Sequence, residues 1–373
     1  MYPSLSLARR YTAIRAIRYL LLPVFLLVGC DANETIPEPI EPEVSENCII
    51  ATQEFANSTG IDAIPALVDP NLVTADEATY LRNSDLVLGL QNGDFIVAIP
   101  HNILWWHEIV NFSNTSPQLA VTFCPLTGSG LAFDRSRVNN LDFGVSGLLW
   151  RNNNVIFDRS EDTFSLWSQM GSVALCSSEG NPGKRLPPYP LVEMTWGGWK
   201  DLYPETFVVS ESTGFSRNYE INPLGSYTEP DNTTLFWPMP GPADDRRLPK
   251  ERILGLPDEK GGLSIPLDEL EKSGHHAVLH VQYKNQPAVI FFDAGRASAW
   301  AFWLDGTHVD RNFAVQENRI VDTATETTWR VDGTAVDGPL AGAKLTPVAE
   351  AYVSYWFAWS VFQPEAILWR TDG

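Results

Sequence analysis

The segment Trp196-Gly-Gly-Trp-Lys-Asp-Leu-Tyr-Pro-Glu205 decides the fold, because Trp356-Phe-Ala-Trp-Ser-Val-Phe-Gln-Pro-Glu365 repeats its pattern later in the chain. In both segments two tryptophans stand three residues apart, a spacing that places side chains on one face of a helix. Each segment then reaches a proline, which cannot continue a helix. The pattern predicts two matching short helices whose indole rings serve packing rather than chemistry.

Four further pairs of similar segments occur in the same order in each half of the chain. They are Asp85–Leu90 with Glu251–Leu256, Phe95–Leu104 with Leu263–Leu270, Ala120–Phe123 with Ala288–Phe291, and Phe157–Trp167 with Val321–Trp329. Self-similarity in conserved order is typical of an internal duplication. We expect two similar lobes that face each other about a pseudo-twofold axis, a first at residues 56–240 and a second, degenerate one at 241–373.

The rest of the pattern predicts an α+β fold that is predominantly β. Short runs rich in β-branched and aromatic residues, bounded by Asn, Asp, Gly and Pro, predict strands at 94–100, 119–123, 141–145 and 154–157. Helical spacing is found in only three stretches, Glu77–Asn83, Leu191–Tyr203 and Pro347–Phe362.

The N-terminal residues 1–29 predict export and lipidation. Four arginines precede the apolar run Leu20–Val28, and Leu27-Val28-Gly29-Cys30 has the form of a bacterial lipobox, which would make Cys30 the acylated first residue of the mature protein. The alternative is an uncleaved membrane anchor, for which the apolar run is short. We expect a lipid-anchored protein of the bacterial cell envelope. Asp31 favours the periplasmic face of the inner membrane and leaves the outer membrane as the alternative.

Residues 30–55 are predicted to form the lipid anchor and a tether, because the Pro- and Glu-rich stretch 31–47 cannot bury a core. Removing residues 1–29 removes four basic residues and no acidic one, which leaves 22 basic against 46 acidic side chains and a net charge of −24. Such a surface excludes nucleic acid as a partner, since nucleic acid requires positive charge on the protein.

Once Cys30 is acylated, three cysteines are left, and an odd number leaves at least one thiol outside any bridge. We expect a disulfide between Cys48 and Cys176, because Cys124 has the more functional context. The alternative is that no bridge forms among the three.

Cys124 follows an apolar run and precedes the turn Pro125–Gly130, and strand ends of this kind commonly present reactive groups. A thiolate requires a nearby imidazole or cation and donors in a turn, so we expect His107 and Glu108 to act with Cys124 as catalytic residues. Thr127 and Ser129 of the turn are candidate binding residues. The plainer alternative is that Cys124 is a small core residue and His107 a hydrogen-bonded core histidine.

The same residues allow a metal site. A thiolate and an imidazole suit copper(I) or zinc, and His101 is the candidate third ligand beside Cys124 and His107. Aligning Ala120–Cys124 with Ala288–Phe292 places Phe292 where the first lobe has its cysteine and His275 opposite His107. On this alignment the second lobe lacks the thiol and serves as scaffold.

Six strings of the sequence are distinctive: Trp105–Asn111, Val121–Arg135, Phe143–Leu149, Phe157–Arg159, Ser165–Gln169 and Gly338–Gly342. In these strings the chain resembles a bacterial family known as domain of unknown function 3179. The resemblance covers roughly residues 60–370 and implies no particular activity. Some members of the family have a second cysteine three residues after the first. Here that position is Thr127, so a Cys-x-x-Cys redox pair is excluded.

Four further side chains are candidates for binding: Arg135, Arg159, Trp167 and Gln169. The arginines suit a substrate anion, although structural Asp–Arg pairs are commoner, and Trp167 suits packing better than stacking on a sugar. No nucleophile elbow, phosphate-binding loop or zinc-protease motif is present. Whether the chain is an enzyme therefore stays open. The alternative to a thiol or metal centre is a non-catalytic lipoprotein that binds a small molecule or glycan in an aromatic cleft between the lobes.

Overall fold

The computed structural model describes residues 47–160, 164–177 and 182–371. The predicted signal peptide and Cys30 lie outside the described residues. Within them the fold is predominantly β, with four short α-helices. None of these helices is long and apolar enough to cross a membrane.

The first half of the fold contains fifteen strands and two helices in the described residues. The strands are β1 Phe55–Asn57, β2 Leu67–Val68, β3 Leu72–Thr74, β4 Leu86–Asn92, β5 Phe95–Pro100, β6 Ile109–Phe112, β7 Leu119–Cys124, β8 Ser129–Asp134, β9 Phe143–Trp150, β10 Asn153–Asp158, β11 Leu166–Ser168, β12 Val173–Cys176, β13 Pro188–Tyr189, β14 Leu191–Thr195 and β15 Phe207–Val209. The helices are α1 His101–His107 and α2 Trp196–Leu202.

The second half contains twelve strands and two helices in the described residues. The strands are β16 Arg252–Leu256, β17 Leu263–Pro266, β18 His276–Tyr283, β19 Gln286–Asp293, β20 Ser298–Trp303, β21 Phe313–Gln316, β22 Arg319–Asp322, β23 Thr327–Trp329, β24 Ala335–Asp337, β25 Thr346–Pro347, β26 Tyr352–Tyr355 and β27 Ile367–Leu368. The helices are α3 Leu267–Lys272 and α4 Trp356–Phe362.

The described strands of each half form three sheets, and the strand orders match. The order β14-β4-β5-β15-β3 of the first half corresponds to β26-β16-β17-β27 of the second, with the fourth strand parallel to the third in both. The orders β13-β8-β7-β6-β2 and β1-β9-β10-β11-β12 correspond to β25-β20-β19-β18 and β21-β22-β23-β24. The additional strands β1, β2 and β3 come from the segment before residue 75.

The predicted helices were partly wrong in extent. Glu77–Asn83 is a turn, in which the Glu77 carboxylate accepts from the backbone N–H of Thr74 at 2.9 Å. Leu191–Thr195 and Tyr352–Tyr355 are strands, because each completes a ladder with β4 or β16. Helical conformation is confined to the Trp-x-x-Trp turn that follows each of these strands.

Each Trp-x-x-Trp helix packs in a core that both halves share. Helix α2 belongs to the cluster that contains Phe291 and Phe302 of the second half, and α4 to the one that contains Phe133 and Phe143 of the first. The described residues accordingly form one compact unit. The two halves are interlocked and share their apolar interior.

A glycine on the neighbouring sheet admits each second tryptophan. A Cβ added to Gly89 would lie 2.1 Å from Cζ3 of Trp199, and one added to Gly255 would lie 2.2 Å from Cζ3 of Trp359. Both indoles are fully buried, and each N–H donates to a hydroxyl oxygen, of Thr206 at 2.9 Å and of Ser264 at 2.6 Å. The rings are therefore fixed in place on both sides.

We predict that Gly89→Ala and Gly255→Ala each lower the free energy of unfolding by about 1–3 kcal/mol, because the added methyl group overpacks a ring that cannot move away. Equilibrium denaturant unfolding measures the effect. Gly60→Ala is the control, since no heavy atom lies within 4 Å of its added Cβ. An equal loss in the control, or no loss at Gly89 and Gly255, contradicts the prediction.

Candidate functional site

Cys124 is the last residue of β7 and is fully buried. Burial, together with the nearby Glu108 carboxyl group, raises the pKa of the Cys124 thiol to about 11, against the smaller opposing effect of the hydroxyl and N–H of Thr127. Its Sγ lies 4.0 Å from the carbonyl oxygen of Asn152, to which the thiol donates. At neutral pH the side chain is therefore a protonated thiol, the unreactive form.

His107, the last residue of α1, is buried and has both ring nitrogens engaged. Nδ1 lies 2.8 Å from the carbonyl oxygen of Pro65, which can only accept, and Nε2 lies 2.7 Å from the hydroxyl of Tyr219. Burial lowers the pKa of His107. In the neutral ring Nδ1 donates to Pro65 and Nε2 accepts from Tyr219. No hydrogen bond among the described residues joins His107 to Cys124.

Glu108 directly follows α1 with a left-handed backbone, at φ of 57°, and its side chain is buried. Burial raises the pKa of Glu108 to about 8, while the hydrogen bond from Nδ2 of Asn154, at 2.9 Å, opposes that rise. Glu108 and not His107 is the predicted catalytic residue that lies near the thiol, since the Glu108 carboxyl group contributes, after burial, to the raised pKa of Cys124. At neutral pH the carboxyl group is mostly protonated.

The predicted binding residues Thr127, Ser129 and Gln169 are brought together in a buried hydrogen-bond network. The Ser129 hydroxyl lies 2.9 Å from that of Thr127 and donates to Oε1 of Gln169 at 2.9 Å. Asn153, which the sequence analysis missed, donates to the same oxygen at 2.7 Å and to Thr127 at 3.0 Å. The Gln169 amide donates to the carbonyl oxygen of Ser129 at 2.9 Å. A network satisfied internally in this way rigidifies a core.

The remaining candidate binding residues also have partners within the protein. Arg135 is fully buried in an ion pair with Asp142, and Arg159 donates to both carboxylate oxygens of Asp62 at 2.8 and 2.6 Å. The buried indole of Trp167 donates to Oδ2 of Asp158 at 2.9 Å. Each of these contacts joins separate strands or loops.

His101 does not join Cys124 and His107 in a cluster of metal ligands. Its Nε2 lies 3.2 Å from Oε2 of Glu193, which also pairs with Arg252 of the second half. Burial and the Arg252 charge lower the pKa of His101 to about 3. Among the described residues, the one group of three potential ligands with neighbouring donor atoms is His275, His276 and Asp293.

The segment that links the two halves, residues 210–251, covers the Cys124 region. Tyr219 contacts His107 as described, and the Tyr227 hydroxyl donates to the carbonyl oxygen of Leu126 at 2.9 Å. The carbonyl oxygen of Trp237 accepts from Nδ2 of Asn152 at 2.9 Å. These aromatic residues explain why the thiol is buried, and no periodic pattern in the sequence marked them.

A disulfide joins Cys48 and Cys176, the pair expected from the sequence, and Cys124 is the free cysteine among the described residues. The hairpin register corrects the alignment of the two halves by one residue. Cys124 pairs with Ser129 and Asp293 pairs with Ser298, each across a four-residue turn. Asp293, and not Phe292, therefore occupies the position of Cys124 in the second half.

A cleft of about 850 Å³ lies between strands of the two halves. Its apolar wall includes Trp150 and Phe362, whose ring centroids are 5.3 Å apart, and the Arg151 guanidinium lies 4.2 Å from the Trp150 ring centroid. The described residues that line the cleft do not include Cys124, His107 or Glu108. The cleft and the thiol are separate features.

Charged side chains of both signs surround the cleft. Those from the first half are cationic, and those from the second are acidic apart from one lysine: Arg137, Arg151 and Arg185, then Asp258, Glu259, Glu350, Glu365 and Lys284. Arg185 and Glu259 approach each other at 3.8 Å, and both are largely exposed. No local pattern in the sequence marks these residues, because they meet only when the two halves fold together.

We predict that Glu108→Gln raises the stability of the protein increasingly as the pH rises from 5 to 8. The folded chain keeps a proton that the unfolded chain releases above its ordinary pKa of 4.5, so the free energy of unfolding falls until the pH passes about 8. Glutamine mimics the neutral form and removes this loss, on the order of a few kcal/mol. The lowered pKa of His101 also makes the free energy of unfolding depend on pH, but this effect is the same in both proteins and cancels in their difference.

Urea unfolding of the wild type and Glu108→Gln at several pH values measures the difference. Glu317→Gln, at an exposed glutamate, is the control and should leave the pH profile unchanged. A constant difference between pH 5 and 8 contradicts a buried, proton-binding Glu108.

Most of the chain matches a known protein family. The family described as protein of unknown function, DUF3179, matches residues 61–366. No curated protein and no solved structure matches the chain significantly. The match covers the residues from the first turn after β1 to the end of α4 and beyond, including the Cys124 region and the cleft. The chain therefore belongs to the DUF3179 family.

Proposed function

We propose that this protein is a lipid-anchored binding protein of the bacterial cell envelope, which holds a small molecule or glycan in the cleft between its two halves. The observation that carries the proposal is the cleft itself. Its volume of about 850 Å³ is in the range of small-ligand sites, and it combines aromatic faces with a few charged groups.

A thiol or soft-metal centre at Cys124 has less support. The thiol is buried with a pKa of about 11, and His107 is engaged by Pro65 and Tyr219. A metal held by Cys124, His107 and His101 would require each side chain to leave its present partners, which for His101 are the Glu193 carboxylate and its surroundings. Copper or zinc at that position stays a prediction that the geometry does not favour.

The proposed internal duplication explains the location of the cleft. Two related halves with matching sheet orders form a boundary between non-identical walls, and binding sites occur preferentially at such boundaries. In this proposal the first half supplies the arginines and the aromatic Trp150, and the second supplies the carboxylates.

We predict that Arg185→Glu weakens the binding of ligands that carry a carboxylate, by roughly tenfold, which corresponds to about 1.4 kcal/mol. Isothermal titration with a panel of acidic amino-sugar oligomers and short peptides measures binding. Arg319→Glu is the matched control, because Arg319 is also about half exposed and paired with an exposed glutamate, but lies outside the cleft. Equal effects of both variants, or no binding by any acidic probe, contradict the proposed site.

We predict that Cys30→Ala prevents acylation and signal cleavage, because the lipid is added to the cysteine of the lipobox before the signal peptide is removed. Labelling with a radioactive fatty acid and fractionation of membranes measure the outcome. Cys124→Ala is the control and should be labelled like the wild type. Acylation that persists in Cys30→Ala contradicts the lipoprotein proposal.

A further inference from the structure

We propose that His275, His276 and Asp293 form a binding site for a first-row divalent cation, with Zn²⁺ as the representative ion. The site is independent of the cleft. Two imidazole nitrogens and one carboxylate oxygen from these residues all lie within 4.8 Å of one another. This donor set suits zinc and its neighbours in the first transition row, whereas Mg²⁺ and Ca²⁺ prefer oxygen ligands alone.

The β18–β19 hairpin brings the three ligands together. His276 is the direct cross-strand partner of Asp293, and His275 precedes it by one residue. Nε2 of His276 lies 3.4 Å from one carboxylate oxygen of Asp293, and Nε2 of His275 lies 3.7 Å from the other. Only small side-chain rotations are required to place all three donor atoms around one ion.

The three ligands differ in exposure, so the site is open to solvent on one side and its deepest ligand is buried. The Asp293 side chain is 1% exposed, that of His276 17% and that of His275 50%. The carboxylate therefore lies at the base, and the imidazoles lie at the entrance. Water molecules can complete the coordination on the exposed side, as they do in open zinc sites.

Neighbouring groups orient the ligands. Nδ1 of His276 lies 3.1 Å from Oδ1 of Asn318, an oxygen that only accepts, so Nδ1 carries a proton. In the neutral ring Nε2 faces Asp293 with its lone pair, whereas in the protonated ring it donates to that carboxylate. A cation bound between the two groups takes the place of that proton. An outer hydrogen bond of this kind fixes the ring tautomer in most histidine–metal sites.

The turn after β19 holds the carboxylate in place. The backbone N–H of Arg296 donates to Oδ1 of Asp293 at 3.2 Å, and the guanidinium contacts Oδ2 at 2.5 Å. Gly295 has no side chain and so leaves room for the imidazole of His275, since a Cβ there would lie 2.7 Å from Cε1 of that ring. The Arg296 charge competes with a bound cation, so the site should bind a divalent ion with moderate affinity.

The alternative is that His276 is protonated and forms an ion pair with Asp293 without a metal. Isothermal titration of the purified full-length protein with Zn²⁺, and in parallel with Mg²⁺, distinguishes the two. We expect one Zn²⁺ per chain and no Mg²⁺ binding at this site. His275→Ala should weaken Zn²⁺ binding at least about tenfold, because it removes a half-exposed ligand without disturbing the ion pair.

Asn318→Gly tests the role of the outer hydrogen bond. Asn318 has a left-handed backbone, at φ of 59°, which glycine adopts without strain, so the variant removes only the amide group. We expect Zn²⁺ affinity to fall about tenfold. His280→Ala is the control, at an exposed histidine on the same strand. The proposal is overturned if Zn²⁺ does not bind the wild type, or if it binds the wild type, His275→Ala and Asn318→Gly with equal affinity.

Discussion

The contact between a buried indole and a glycine, made once in each half, is the constraint on which the rest of the fold depends. Trp199 can lie against β4 only because Gly89 has no side chain, and Trp359 lies against β16 for the same reason at Gly255. A ring of this size in direct contact with a sheet fixes the helix that carries it, because a close-packed interior has no space for alternatives. Since each of these helices also packs in a core shared with the other half, the two contacts fix how the halves fit together.

The protonation state of Cys124 follows from its surroundings in the fold. The thiol and the carboxylate of Asp293 occupy equivalent ends of a strand, each before a four-residue turn. The N–H of Arg296 donates to Asp293, and the Thr127 hydroxyl and N–H lower the pKa of the Cys124 thiol. What differs is the surroundings. In the first half the linking segment covers the turn and keeps the thiol protonated, and in the second half imidazoles and a guanidinium surround the carboxylate.

The sequence predicted the predominantly β class, the strand that leads into Cys124, the Trp-x-x-Trp helices and the Cys48–Cys176 pair, because each depends on local pattern or on simple counting. It overestimated the helices at Leu191 and Pro347, since the apolar residues before each tryptophan pair with a distant strand, and pairing of that kind leaves no local signal.

The candidate site differed from expectation because residues that are neighbours along the chain were expected to lie together in the fold. His107 and Glu108 are adjacent, yet a left-handed residue at the end of α1 sends one toward Tyr219 and the other toward Asn154. Asn153 was missed because an asparagine beside a hairpin turn is usually explained by the turn alone. The cleft has no local signature, since its walls are distant in sequence.

If the cleft binds a ligand as we propose, the charge of the protein would make that binding selective. A chain with a formal net charge of −20 repels anions over most of its surface, so the arginines that the first half places at the cleft form a local exception. The carboxylates on the opposite wall would repel a ligand that carries only negative charge, so the arginines do not make the cleft a general binding site for anions. A ligand that carries an anionic group at one end and a cationic or hydroxyl-rich group at the other satisfies both walls. An apolar or sugar ring between these groups would then lie against Trp150, so we expect the ligand of the proposed function to be a zwitterionic glycan or peptide.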